Sequence, residues 1–495
     1  MNYISTRNKL VKVSAAKAIA QGISVEGGLF VPETFPVFEK EDFEKLIKSD
    51  YKQRAEYILK FFLNDFTEEE VKYCINGAYT GSFENEQPAP ISLIGDNANI
   101  LELWHGPTCA FKDLALQLLP YLLTTSAKKV NGGKKTVILV ATSGDTGKAA
   151  LEGFKDVPDT EILVFYPSDG VSPMQKLQMD SQKGENVHVC AIKGNFDDAQ
   201  TGVKNIFTDN KVKEKLAENN MLFSSANSIN WGRLAPQIVY YVSAYCDLLA
   251  RNKDYIKNGF NVVVPTGNFG NILAAYYAKK MGVPINKLIC ASNANNVLTD
   301  FINTGVYDRN RSFHTTISPS MDILISSNLE RMLFELSGNN DKEVAMLQAE
   351  LSQKGCFTVS DTVKEKMQGL FWGGCCDDEE TLKTINKYFN EYGYLCDTHT
   401  AVALNVYEQY VSVCGDDRPT VIASTASPYK FANSVLSAVS VKKGESEFDT
   451  VRLLSAETNT EIPNPIKSLE NAEVRFKEIC EKQNMLSAVY KALGI

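Results

Sequence analysis

The sequence predicts an α/β protein: two open, largely parallel sheets covered by helices, preceded by a mainly helical domain. Three observations carry that expectation. Apolar positions recur at helical spacing over residues 43–62 and again over 71–75. Beyond Pro88 and Pro90, short apolar runs at 136–141, 161–166, 187–192, 261–264, 287–291 and 420–423 alternate with helical stretches, as in strand, crossover helix, parallel strand. Three strand runs, at 137–140, 262–264 and 420–423, open into loops rich in Gly, Ser, Thr or Asn before a helix. In open sheets, ligands bind in such loops, beyond the carboxyl ends of the strands.

In chain order, residues 1–95 form the mainly helical domain, with Gly27, Gly28 and Pro32 punctuating one turn-and-strand stretch. Residues 96–130 and 232–495 form the larger α/β domain, and 131–231 a smaller one able to move against it. A more polar segment at about 300–395 reads as an insertion in the larger domain. Its acidic cluster at 377–380 reads as a solvated first helical turn, where negative charge suits the helix dipole.

With 495 residues, 44% hydrophobic and 22% charged, the chain has material for two to four domains with well-developed cores. A net charge of -9 without a long Lys/Arg run argues against nucleic acid or an anionic membrane as main partner. The 11 cysteines form no CxxC pair and the 4 histidines no HxxxH spacing, so a metal site has no support. Arg7, Lys9, Lys12 and Lys17 interrupt the N-terminal region where a secretory signal has an unbroken apolar core. No run approaches 18 apolar residues, so the expected location is the cytoplasm, with the free thiols of a reducing compartment.

The stretch HGPTCAFKD, residues 105–113, delivers Lys112 to the start of an apolar helix carrying Leu114, Leu116, Leu118 and Leu119. Desolvation lets a lysine lose its proton near neutral pH and act as a nucleophile toward a carbonyl cofactor. Taken alone, the stretch reads more simply as a surface lysine opening a core helix; two further loops reverse that weighting. One is TSGDTG at 142–147, in which Ser143, Gly144, Asp145 and Thr146 read equally as a capped tight turn or as a receptor for a carboxylate or phosphate. It is not a nucleotide P-loop, because Thr142 and Ala149 stand where that motif needs Gly and Ser or Thr. The other is TGNFGN at 266–271, which lacks the GxGxxG spacing and suits a phosphate monoester better than a pyrophosphate. The loop STASP at 424–428 can bring hydroxyls to the edge of a flat ring, but helix capping explains it equally.

In order along the chain, STR at 5–7, EGGLFVPE at 26–33, HGPTCAFKD, SGDTG, NSINWGR at 227–233, TGNFGN and STASPYKF at 424–431 resemble threonine synthases of the long, bacterial and fungal type. The resemblance spans essentially the whole chain. It implies the fold type II architecture of pyridoxal phosphate enzymes, related to the tryptophan synthase β chain. The implied reaction converts O-phospho-L-homoserine and water to L-threonine and phosphate by γ-elimination and β-replacement, in a monomer or homodimer. It makes Lys112 the Schiff-base lysine and gives the cofactor phosphate to Gly267, Asn268, Phe269 and Asn271. Thr425 faces the pyridine nitrogen, Ser143, Gly144, Asp145 and Thr146 take the substrate carboxylate, and Asn230 and Arg233 the substrate phosphate. His399, in DTHTAV, matches a family segment near the site, and a buried capping histidine explains it equally. Cys109 and Tyr429 depart from the pattern without touching the chemistry. The alternatives are a related phospho-lyase releasing 2-oxobutyrate, a serine or threonine dehydratase, and a noncatalytic metabolite-binding α/β protein.

Overall fold

A computed structural model describes residues 1–142, 144–169 and 171–495. Its larger sheet has six strands in the order Phe371–Cys375, Ile285–Ser292, Phe260–Pro265, Thr420–Ser424, Ala98–Glu102, Ile91–Ile94. Neighbours run parallel throughout, except that Ile91–Ile94 pairs antiparallel with Ala98–Glu102. The inner strands Phe260–Pro265 and Thr420–Ser424 are buried at every position. That explains their unbroken apolar texture, since a strand covered by helices on both faces has no polar side to alternate with.

The second sheet is parallel, with five strands in the order Ile479–Glu481, Val187–Lys193, Thr160–Pro167, Lys135–Ala141, Met221–Ser224. Sequence reading ran the larger domain to residue 495, but here the structure differs. Ile479–Glu481 pairs with residues 191–193, and Met485 and Val489 of the helix Met485–Leu493 join the core formed by Val137, Leu139 and Phe165. Burying that apolar stripe on the smaller sheet draws the end of the chain across.

The N-terminal region is helical from Lys40–Ile47 through Tyr51–Phe62 to Glu68–Tyr79, the last two entered by side-chain capping from Asp50 and Thr67. Ahead of them lies an antiparallel sheet of Asn8–Val13, Tyr3–Ser5 and Phe30–Pro32. The 300–395 segment supplies the edge strand Phe371–Cys375, and at Pro319–Met321 it reaches the candidate site. Among the described residues, no helix is long and apolar enough to cross a membrane.

Candidate active site

Asp113 folds the turn that presents Lys112. Its carboxylate accepts from Thr108 N at 2.8 Å and Thr108 Oγ1 at 2.6 Å, and a Cβ on Gly106 would stand 2.6 Å from Asp113 Oδ2. Burial pushes this carboxyl up to about 6 against those donors. The turn docks on the loop after Thr420–Ser424, with Phe111 N donating to Thr425 O at 2.9 Å and Ser427 N to Cys109 O at 3.1 Å. Lys112 and the buried Thr425 are thereby neighbours along two antiparallel segments.

The Lys112 side chain is 11% exposed, its Nζ 3.3 Å from Ser320 Oγ and 3.8 Å from Asp145 Oδ2. Burial lowers its ammonium to about 8; Asp145 opposes the change, and the cations of Lys430 and Arg233 assist it. Burial alone would raise Asp145, but Lys430 and Lys112 hold its carboxyl well below the usual range. Lys430 Nζ is 2.8 Å from Asp145 Oδ1, and Gln175 Nε2 donates to the same oxygen at 3.2 Å.

This arrangement corrects one expectation. The Asp145 side chain is a counter-ion to two lysines and cannot receive a second carboxylate. What the 142–147 loop offers an anion is backbone: the N–H groups of Asp145 and Thr146 open the helix Asp145–Phe154, where no intrahelical acceptor exists. Gly144 has φ 145°, and a Cβ there would meet Gln175 Nε2 at 2.3 Å. Thr146 is half-buried, and Ser143 lies outside the described residues.

The 266–271 loop follows the strand Phe260–Pro265. Phe269 takes a left-handed φ of 62° just before the helix Gly270–Lys280, whose first N–H groups have no intrahelical acceptor. Gly267 passes so close to the 319–321 turn that a Cβ would lie 2.6 Å from Ser320 O. Asn268 O accepts from Asn328 N and Nδ2, both at 3.1 Å. The buried Asn271 accepts from Tyr241 OH on Oδ1, while its Nδ2 has no partner among the described residues.

Arg233 is 4% exposed; Nη1 donates to Ala226 O at 3.0 Å, and Nε has no partner among the described residues. No carboxylate of the described residues pairs with it, and burial lowers the guanidinium to about 10. Asn230 is otherwise occupied, a second correction. Its Nδ2 donates to Ile19 O at 3.0 Å and Ser225 O at 2.8 Å, and its Oδ1 caps the helix Trp231–Arg251 through Gly232 N at 2.9 Å. No donor remains for a phosphate.

Two groups at the site, Lys430 and Ser320, escaped the sequence reading. Lys430 is a charged residue within the apolar PYKF turn, and that mismatch was the available signal. Ser320 sits in the polar segment taken for an insertion. Its N–H donates to His399 Nε2 at 3.1 Å, and His399 Nδ1 lies 2.7 Å from Asp397 Oδ2. An Nε2 that accepts leaves the ring proton on Nδ1, facing Asp397. His399 thus acts on the 319–321 turn rather than on Lys112 directly.

Comparison with known proteins identifies the family. Residues 2–79 match the model for the threonine synthase N terminus, 94–358 that for pyridoxal-phosphate dependent enzymes, and 400–490 that for the threonine synthase C-terminal region. Threonine synthase of Pseudomonas aeruginosa is 38% identical over 439 residues, covering 88% of this chain and 90% of that protein. The chain belongs to the threonine synthase family of pyridoxal-phosphate-dependent enzymes. Threonine synthase-like 1 of Homo sapiens is 41% identical over 87% of this chain, which spans 59% of that relative's length. The pyridoxal-phosphate-bound threonine synthase of Brucella melitensis superposes with a TM-score of 0.89 at 35% identity, covering 100% of this chain and 99% of that one.

Proposed function

We propose that the chain converts O-phospho-L-homoserine and water to L-threonine and phosphate, with pyridoxal phosphate bound at Lys112. The observation that carries this is a buried amine, brought down to about 8 with help from the Arg233 charge, in a site where Arg233 Nε and Asn271 Nδ2 have no partner among the described residues. The residues fit the cofactor. Gly267, Asn268, Phe269 and Asn271 would hold its phosphate, Nδ2 of Asn271 supplying the donor that the fold leaves unused. Thr425 would face the ring nitrogen with a neutral hydroxyl. Bound pyridoxal phosphate supplies an electron sink for carbanion chemistry beside the substrate amine.

The chain's own residues supply the rest. Lys112 would serve as the base toward the substrate α and β carbons; with its ammonium near 8, roughly one amine in ten is free at pH 7. Arg233 would receive the substrate phosphate, because a planar fork with an unused Nε can donate two parallel bonds to its oxygens. As charge builds on phosphate leaving the γ carbon, that buried cation strengthens its hold. The helix start at Gly144, Asp145 and Thr146 would take the substrate carboxylate on backbone N–H groups, and Ser143 keeps the role that the sequence resemblance implies. Ser320 Oγ, against Lys112 Nζ, can accept its proton contact while water adds at the β carbon. The smaller lobe, 131–231, would close over the substrate, since Asp145 already reaches across to Lys112 and Lys430 of the larger one. Eleven unpaired cysteines support a reducing, cytoplasmic setting.

Supplied with O-phospho-L-homoserine, the holoenzyme is expected to release phosphate and threonine in equal amounts. Phosphate with 2-oxobutyrate and little threonine would instead identify the phospho-lyase. Turnover of free threonine without action on the phosphate ester would identify a dehydratase.

A further inference from the structure

The reaction as proposed leaves one buried charge at the site unused. Lys430 lies in the Pro428–Phe431 turn with a side chain 1% exposed, its Nζ donating to Thr108 O at 3.0 Å and resting 2.8 Å from Asp145 Oδ1. Lys112 faces the other oxygen of the same carboxylate at 3.8 Å. The shorter distance is a full charge-assisted hydrogen bond; the longer one is outside hydrogen-bond range. Asp145 therefore sits between two ammonium groups and is committed to the one that does no chemistry. Gln175 Nε2, on the same oxygen at 3.2 Å, strengthens that commitment.

Taking Lys112 as the cofactor lysine, we propose that Lys430 is a positioning residue that keeps Asp145 off Lys112 and so leaves the Lys112 amine free to act as nucleophile and base near neutral pH. The charged groups around Lys112 come from four places. Asp145 starts the helix Asp145–Phe154, Lys430 lies in the 428–431 turn, Arg233 is in the first turn of Trp231–Arg251, and Asp113 follows Lys112 itself. His399, from the helix Thr398–Cys414, reaches the site through Ser320 N, which donates to its Nε2 at 3.1 Å. Asp145 and Asp113 favour the Lys112 ammonium, while burial, Lys430 and Arg233 oppose it. Removing the Lys430 charge acts twice in one direction: a neighbouring cation is lost, and Asp145 is released to close on Lys112. Removing the Asp145 charge acts the other way. A residue that only filled space would not produce opposite shifts from two halves of one ion pair.

The test measures acylation of Lys112 by a trace amine-reactive reagent across pH, by peptide mass spectrometry, in the full chain freed of cofactor. The pH midpoint of the visible absorbance of the holoenzyme is followed in parallel. Lys430→Met is expected to raise the Lys112 midpoint by about one pH unit, roughly a tenfold drop in free amine at fixed pH, and Asp145→Asn to lower it. Lys430→Arg, which restores the charge, should return the midpoint toward that of the unsubstituted protein. An unmoved midpoint in Lys430→Met, or shifts of the same sign in Lys430→Met and Asp145→Asn, overturns the assignment. Should Lys430→Met fail to fold, Lys430→Gln, which removes the charge but keeps a donor for Thr108 O, takes its place: an upward Lys112 midpoint supports the assignment and an unmoved one defeats it. Borohydride fixation of pyridoxal phosphate on another lysine would defeat the reading of Lys112 itself, an outcome separable from the midpoints.

Discussion

Replacing Arg233 with methionine separates a residue kept for a ligand from one kept for the fold. Burial alone lowers this guanidinium to about 10, so holding the charge inside costs on the order of a few kcal/mol. Methionine has a similar reach and removes that cost. Against it stands Ala226 O, which loses the donor now 3.0 Å away, a penalty of about 1–3 kcal/mol for a carbonyl left unpaired. The two nearly offset, so Arg233→Met should unfold within about 2 kcal/mol of the parent protein. Arg331 is the control: burial lowers it to a similar value, but its guanidinium serves Phe30 O, Ile229 O and Asn328 Oδ1. Its replacement strands several acceptors and should cost clearly more. The assay is urea or thermal unfolding of the cofactor-loaded protein, with and without inorganic phosphate. At a hundredfold excess over Kd, a bound ligand adds about 2.7 kcal/mol. The parent and the Arg331 variant should show such a gain, and Arg233→Met should not. If Arg233→Met loses about 3 kcal/mol or more without phosphate and still gains as much from phosphate as the parent, the guanidinium is structural and the phosphate binds elsewhere.

Lys112→Ala should yield a protein on which borohydride fixes no pyridoxal phosphate. In the parent, fixation should rise with pH and level off above about 8, because burial makes the amine free from there upward; a pH-independent yield would contradict that. Gly267→Ala places a methyl 2.6 Å from Ser320 O, so the 319–321 turn must retreat by several tenths of an ångström at about 1–3 kcal/mol. Its cofactor affinity, followed by absorbance titration, should fall, and an unchanged titration would show that the turn yields freely. Asn230→Ala should cost about 1–2 kcal/mol of stability through the lost helix cap and leave the KM for O-phospho-L-homoserine unchanged. A raised KM with unaltered stability would restore Asn230 to the substrate.

What the sequence disclosed were the features written locally. The strands Phe260–Pro265 and Thr420–Ser424 announce themselves as apolar runs because both faces are covered, and the glycines at 144 and 267 mark the places where a side chain would collide. Lys112 stood out only beside two further loops, since its own stretch reads more simply as a surface lysine opening a core helix. The pairing of charges was not legible. Asp145 meets Lys430 and Ser320 across gaps of 285 and 175 residues, and no periodicity encodes a contact of that range. Asn230 was misread for the opposite reason: a side chain that caps a helix and ties down Ile19 O carries the same letter as one that binds a ligand. The strand Ile479–Glu481, three residues with two of them half-buried and one exposed, is too short to show a period at all.

That last strand also affects how the molecule is made. Val187–Lys193 acquires its outer neighbour only when Ile479–Glu481 arrives, and the Lys193–Glu481 ion pair closes a separation of 288 residues. At roughly 5–20 residues per second of synthesis, the wait is about 15–60 s. For that interval the nascent chain displays an unpaired strand edge, a template on which a second chain could assemble. Ribosomal pace, as much as equilibrium stability, therefore sets how long each new molecule is exposed to aggregation, and chaperone demand should fall on the half-made protein rather than the finished one.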